Sequence, residues 1–185
     1  MVNVKLLHKE LRFIAENPEK WNQGSWVNEI RALETELPAP CNTFGCLAGN
    51  TVIHKGDELL WNFYDGVWET EWTIDGARVS ERARQYLELT HDQASALFAP
   101  SNTYYRLWEL AMQFSDGGLT IEQRKEAIEI YYMNRSRQLL KEMFTILDEN
   151  PHISDTLRNY GELVRKRTTN ELTYMHELDL LGIDD

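Results

Sequence analysis

The stretch LLWNFYDGVWETEW, residues 59–72, alternates large apolar and polar side chains on both sides of an Asp65-Gly66 pair. An Asp-Gly pair favours the two-residue turn of a β-hairpin, because that turn needs positive φ angles at both central residues. Such a turn would place Phe63 opposite Trp68. The stretch therefore predicts a small antiparallel β-hairpin over about residues 59–74.

The two faces of this hairpin differ in composition. The same register pairs Trp61 with Thr70 and Leu59 with Trp72, so one face carries Leu59, Trp61, Phe63, Trp68 and Trp72. The other face carries Leu60, Asn62, Tyr64, Val67, Glu69 and Glu71. The aromatic face could stack on a sugar or a base, but the glutamates opposite it favour a buried aromatic side. We therefore expect the aromatic face to belong to the core.

Helical patterns surround the hairpin. Before it, apolar spacing predicts helices over residues 4–16, 27–35 and about 45–53, the last ending at Lys55-Gly56. After it, helices are predicted over 81–89, 91–98 and 103–114. The second of these begins with a capping box between Thr90 and Gln93. The fold class is therefore α+β and predominantly α-helical.

Two long helices are predicted at the C-terminal end. One begins at Thr120 and extends to about Glu149, and the other covers about 154–181. The break at Asn150-Pro151 is short, so the two should fold back as an antiparallel helical hairpin. We predict a compact mixed unit over 1–118 and a helical extension over 119–185, either separate from the first core or part of it.

Composition and charge restrict the classes of partner. The 185 residues are 42% hydrophobic, and 30 acidic against 19 basic side chains give a formal net charge of −11. Residues 1–100 carry 15 acidic and 9 basic side chains, and the remainder carries 15 and 10. This acidic balance argues against direct binding to nucleic acid or to an anionic membrane. With no apolar signal segment or membrane-spanning run, the expected location is the cytoplasm.

Cys46 is the candidate catalytic residue if the protein is an enzyme. A thiol at the start of a helix can have a lowered pKa and act as a nucleophile, provided that a base lies within reach. The nearest histidine, His54, is eight residues further on and would lie about 12 Å away along a continuous helix. The alternative is that Cys46 is a small buried apolar residue, and the spacing favours this interpretation.

The same segment supplies the candidate metal ligands Cys41, Cys46 and His54, with Asp57 as a fourth. Their spacing, C-x4-C-x7-H, fits no standard zinc motif. A disulfide between Cys41 and Cys46 is the third alternative, although a cytoplasmic location favours free thiols. Gly49 is more simply explained as a close packing contact. We therefore predict no metal site and no cofactor.

Three segments resemble a group of small uncharacterised proteins of actinobacteria and their tailed phages. The segments are WNQGSW at 21–26, CNTFGCLAG at 41–49 and LELTHDQASALF at 87–98. They are similar to the group's patterns W-x-Q-x-x-W, C-G-T-x-x-C-x-A-G-W and L-x-L-T-x-x-Q-A-x-x-L-F. Asn42 stands where the group has Gly, and Asn50 where it has an aromatic residue. The resemblance covers about residues 20–103, and it implies a phage or actinobacterial origin and no particular chemistry.

These observations favour a non-enzymatic accessory protein, encoded by a phage, that binds a protein of the host or of the phage. The two C-terminal helices are the expected surface for that partner or for self-association into a homo-oligomer. A cysteine-dependent hydrolase or transferase that uses Cys46 is the first alternative. The second is an acidic inhibitor or mimic directed at a basic or nucleic-acid-binding protein.

Overall fold

The computed structural model describes residues 1–30, 44–64 and 67–149. The described part contains six α-helices: α1 (Val4–Glu16), α2 (Leu47–Lys55), α3 (Val79–Tyr86), α4 (His91–Leu97), α5 (Tyr104–Phe114) and α6 (Ile121–Glu149). It also contains four strands: β1 (Val27–Ile30), β2 (Phe44–Gly45), β3 (Asn62–Tyr64) and β4 (Val67–Thr70). The predicted fold class, mainly α-helical with a small β-hairpin, is confirmed. The second C-terminal helix lies outside the described residues.

The helices begin and end where local capping signals place them. Asn3 accepts a hydrogen bond from the Leu6 N–H at the start of α1, and Thr90 and Gln93 form the predicted capping box of α4. The predicted bounds of α1 are those observed. Gly56 ends α2 with a φ of 82°, a left-handed conformation that favours glycine. These boundaries depend on residues close in sequence, but the predicted bounds of α3, 81–89, differ from the observed Val79–Tyr86.

The predicted helix over 27–35 is wrong at its start, because Val27–Ile30 is strand β1. All four strands form one antiparallel sheet in the order β2-β1-β4-β3. Val27 pairs with Thr70 of β4 on one side and with Gly45 of β2 on the other. β1 thus pairs with an edge of β4 that a two-stranded hairpin would leave open, and this tertiary pairing overrides the local helical pattern.

The predicted hairpin is confirmed at its tip, where Phe63 pairs with Trp68. Its Asp65-Gly66 turn lies outside the described residues. Further from the tip the predicted register is wrong, because Leu59 bridges Thr73 instead of Trp72. One extra residue therefore enters the second strand, as in a β-bulge. The Thr70 hydroxyl stabilises this bulge by accepting from the Trp72 N–H and donating to the Trp72 carbonyl.

The bulge changes which aromatic side chains are covered. Trp68 is buried, Trp61 and Phe63 are half-buried, and Trp72 is 36% exposed. The guanidinium of Arg78 stacks over the Trp72 ring, 5.1 Å from its centroid. The aromatic face is therefore part of the core only near the tip of the hairpin.

The core of the mixed unit lies among α1, α2, α3 and α5. Its largest buried side chains include Trp108, Tyr104, Leu7, Leu11, Ile14, Leu47, Leu87 and Leu107. The hydroxyl of Tyr104 donates a 2.8 Å hydrogen bond to the Leu11 carbonyl, which links α5 to α1. α2 packs against both α1 and α3.

The chain divides into two compact units, Met1–Glu129 and Ile130–Asp185. Leu119, Ala127 and Ile128, which follow the Gly117-Gly118 pair, are buried. The predicted boundary after residue 118 stays a prediction. Among the described helices, none is long and apolar enough to cross a membrane.

Candidate functional site

Cys46 lies at the N-terminal end of α2 in a closed environment. Its side chain is 1% exposed, its N–H donates to the Ser25 carbonyl at 2.8 Å, and its Sγ lies 3.9 Å from the Trp26 carbonyl oxygen. Burial raises the pKa of the Cys46 thiol to about 11, although nearby backbone N–H groups at the helix start act in the opposite direction. Desolvation thus outweighs the helix terminus, and the thiol is protonated at neutral pH.

His54 lies at the opposite end of α2. Its Nδ1 is 2.6 Å from Oε2 of Glu10, and its ring meets the Phe13 ring edge-on with centroids 4.2 Å apart. Eight residues of helix separate it from Cys46, which corresponds to about 12 Å. The structure therefore does not bring the candidate nucleophile and the candidate base together.

The Glu10–His54 pair was not foreseen from the sequence. Glu10 is fully buried, and within the described residues its Oε1 has no hydrogen-bond partner. The sequence does contain a signal for it, since Glu10 falls on the apolar side of α1 between Leu7 and Ile14. A carboxylate at such a position needs a hydrogen-bonding partner in the protein interior. That partner is His54, 44 residues later, and only the packing of α1 on α2 brings the two together.

The candidate metal ligands within the described residues, Cys46, His54 and Asp57, contact different parts of the fold. Asp57 accepts hydrogen bonds from the Tyr86 hydroxyl at 2.8 and 2.9 Å, and it lies 3.5 Å from Nε of Arg82. Cys41 is outside the described residues. Within the described ranges, no group of three or more His, Cys, Asp or Glu side chains is placed to hold a metal ion.

The segments that carry the family resemblance meet at the side chain of Gln23. Its Oε1 accepts from the indole N–H of Trp21 at 3.0 Å and from the Leu47 N–H at 3.3 Å. Its Nε2 donates to the carbonyls of Leu97 at 3.0 Å and Ala99 at 3.2 Å. All four hydrogen-bonding positions of the amide are therefore used, and they join the start of α2 to the end of α4.

Gly49 completes this connection between the segments. A Cβ atom at Gly49 would collide with the carbonyl oxygen of Trp26 and lie 2.8 Å from Cγ2 of Val27. Only glycine allows α2 to lie this close to the backbone before β1, so the predicted packing role is confirmed. Buried Asn50, at a position where the resemblance expects an aromatic residue, donates to the Gly45 carbonyl at 3.1 Å. The motif residues thus serve the folding of the chain.

A cleft of about 330 Å³ opens beside the sheet, and we name it the Trp26 cleft. Its lining includes two indoles and several polar side chains: Trp26, Trp72, Asn62, Glu69, Thr70 and Glu71. Trp26 is fixed by an edge-on contact with Phe98, at 6.5 Å between ring centroids. Glu69 and Glu71 are exposed, and in the described part of the chain neither carboxylate has a hydrogen-bond or ion-pair partner.

Sequence reasoning placed Glu69 and Glu71 on the polar face of the hairpin but did not foresee the Trp26 cleft. The cleft requires the segment before β1 to lie beside β4, whereas the residues that follow this segment, 27–35, were predicted to be a helix. Comparison with protein-family models, with curated proteins and with solved structures finds no match to this chain. The resemblance to actinobacterial and phage proteins stays a prediction.

Proposed function

We propose that this chain is a non-enzymatic interaction protein, encoded by a phage, that binds a protein of its host or of the phage. The supporting observation is the surface of α6 in the second compact unit. Of the described side chains from 130 to 146, none is buried, and Met133, Phe144 and Ile146 are 45%, 57% and 46% exposed. Large exposed apolar residues on one helix are typical of a protein-binding surface.

Met133 and Phe144 are eleven residues apart, which is close to three helical turns, so they lie on the same side of α6. Ile146 lies on nearly the opposite side. We name the first side the Met133 face and propose it as the binding surface. The cysteine-dependent alternative has less support, since the Cys46 thiol is buried and protonated and the candidate base His54 is bound to Glu10.

Affinity capture with the tagged full-length chain from an actinobacterial lysate tests this proposal. We expect a specific protein to be captured by the wild type and by Cys46→Ala, and to be lost with the double variant Met133→Gln/Phe144→Gln. Ile146→Gln is the matched control, because it removes an equally exposed apolar side chain from the other side of the helix and should keep the partner.

Two results would contradict the proposal. One is the absence of any partner for the wild type, with sedimentation velocity showing a monomer. The other is a covalent adduct that Cys46→Ala abolishes, which would support the cysteine-dependent enzyme. Self-association that the double variant abolishes would make the partner a second copy of the chain in place of a host or phage protein.

A further inference from the structure

Among the described residues, the Trp26 cleft contains negative charge without a compensating cation. Glu69 and Glu71 line it, no Lys, Arg or His does, and neither carboxylate has a partner within the described residues. The nearby Arg78 is stacked on Trp72 but does not line the cleft. The cleft therefore presents a negative potential in a chain whose net charge is already −11.

The aromatic walls add a second feature. The Trp26 ring meets Phe98 edge-on, and the Trp72 backbone is held by the Thr70 hydroxyl while its ring stacks against Arg78. The face of an indole attracts a cation through its quadrupole, and a planar guanidinium can also stack on it. Arg78 over Trp72 shows this interaction within the chain itself.

The amide of Asn62 and the carboxylate of Glu69 are opposite each other across β3 and β4. Glu71 follows two residues later, so the hydrogen-bonding groups and the indoles line the same small volume. At about 330 Å³ the cleft is near the lower limit of roughly 300 Å³ for small-molecule sites. It suits one side chain better than an extended ligand.

We propose that the Trp26 cleft binds the guanidinium group of an arginine side chain that a protein partner presents. This inference rests on the proposed function and adds the chemistry of the partner. The carboxylates of Glu69 and Glu71 accept charge-assisted hydrogen bonds from the guanidinium, and an indole covers its face. Lysine binds less well, because its ammonium cannot stack or form the planar pair of hydrogen bonds.

A neutral sugar is the competing ligand, since indoles also stack on sugar rings. The binding of a neutral sugar does not depend on the charge of a carboxylate, whereas the binding of a guanidinium does. The dependence of binding on the two carboxylates therefore distinguishes the two ligands.

Isothermal titration of the full-length chain with a blocked hexa-arginine peptide tests the proposal. We expect Glu69→Gln/Glu71→Gln to weaken binding about tenfold and Trp72→Ala to weaken it about fivefold, at the magnitudes of exposed ion pairs and cation–π contacts. Glu122→Gln/Glu129→Gln removes the same charge from exposed positions on α6 and should change affinity less than about twofold. Hexa-lysine should bind more weakly than hexa-arginine.

Three results would overturn the proposal: no binding of hexa-arginine, equal weakening by both glutamate pairs, or binding of a neutral glucose hexasaccharide that only Trp72→Ala abolishes. No variant in the titration changes Met133 or Phe144, the two residues that the lysate capture tests. A failed titration with successful lysate capture therefore contradicts the cleft assignment alone, and the reverse result contradicts the proposed interaction through α6 alone.

Discussion

The two ends of helix α2 each carry a side chain capable of catalysis, but the surroundings of these two side chains differ. At the N-terminal end, Cys46 lies in the most signature-like segment of the sequence, yet its side chain is buried and its thiol is protonated. At the C-terminal end, His54 stands in an ordinary segment, yet it contacts a fully buried carboxylate. A distinctive sequence motif can therefore reflect a packing requirement. A residue in a less distinctive segment can be the one that contacts a buried charged side chain, as His54 contacts Glu10.

The physical reason lies in what each end of α2 packs against. The N-terminal end lies against the backbone of residues 25–27 and the amide of Gln23, and the hydrogen bonds that the described residues make with it there come from neutral groups. The C-terminal end lies against α1, which presents Glu10 among its apolar residues. Substitutions at the two ends should therefore have effects of different origin and size.

The largest effect is expected from Gly49→Ala at the N-terminal end. The added methyl group collides with the Trp26 carbonyl, and neither α2 nor the backbone before β1 can move without breaking the contacts of Gln23. We expect a loss of more than about 4 kcal/mol in the free energy of unfolding, measured by urea denaturation.

Gly24→Ala is the matched control for this substitution. Gly24 is exposed, and a Cβ there would lie 3.4 Å from Oδ1 of Asn22, at the edge of ordinary contact. It should cost less than about 1 kcal/mol. Equal stability of the two variants would show that the close approach of α2 to Trp26 does not occur in solution.

A smaller effect is expected at the C-terminal end from His54→Ala. The substitution leaves the buried Glu10 carboxylate without its partner, and breaking a buried pair in this way typically costs about 3 kcal/mol. Because Glu10 lies on an apolar side of α1, the double variant Glu10→Leu/His54→Leu should recover most of this loss. Urea denaturation of the wild type, the single variant and the double variant measures both changes.

The recovery is the informative part of this experiment. If the double variant is less stable than His54→Ala, the carboxylate and the imidazole do not form an isolated pair. The C-terminal end of α2 would then differ from the N-terminal end less than the buried Glu10–His54 contact indicates.

Features set by nearby residues could be predicted from the sequence, and features set by distant ones could not. The bounds of α1, the Thr90–Gln93 cap and the Phe63–Trp68 pairing depend on residues close together in the chain. Residues 27–30 form strand β1 because they pair with β4, about 40 residues later in the chain. The local spacing of apolar residues contains no information on that pairing.

The candidate sites show the same limit. Cys46, His54 and Asp57 were candidates because of their residue types, and the structure separates them because each contacts a different element. The Trp26 cleft combines residues before β1 with residues on β3 and β4. Only the three-dimensional arrangement identifies it, although Asn62, Glu69 and Glu71 were already on the predicted polar face.

The most direct test of the central claim, that Cys46 is a packing residue, is the rate of its alkylation by iodoacetamide between about pH 6 and pH 11. A Cys41→Ser variant would make Cys46 the single thiol, with the urea-unfolded chain as reference. A pKa raised from 9.0 to about 11 predicts no inflection below about pH 10 and, since each pKa unit changes the thiolate fraction tenfold, a native rate at neutral pH about 100-fold below the reference. Rapid alkylation at neutral pH, with an inflection below about pH 8, would contradict the account and make Cys46 a reactive nucleophile.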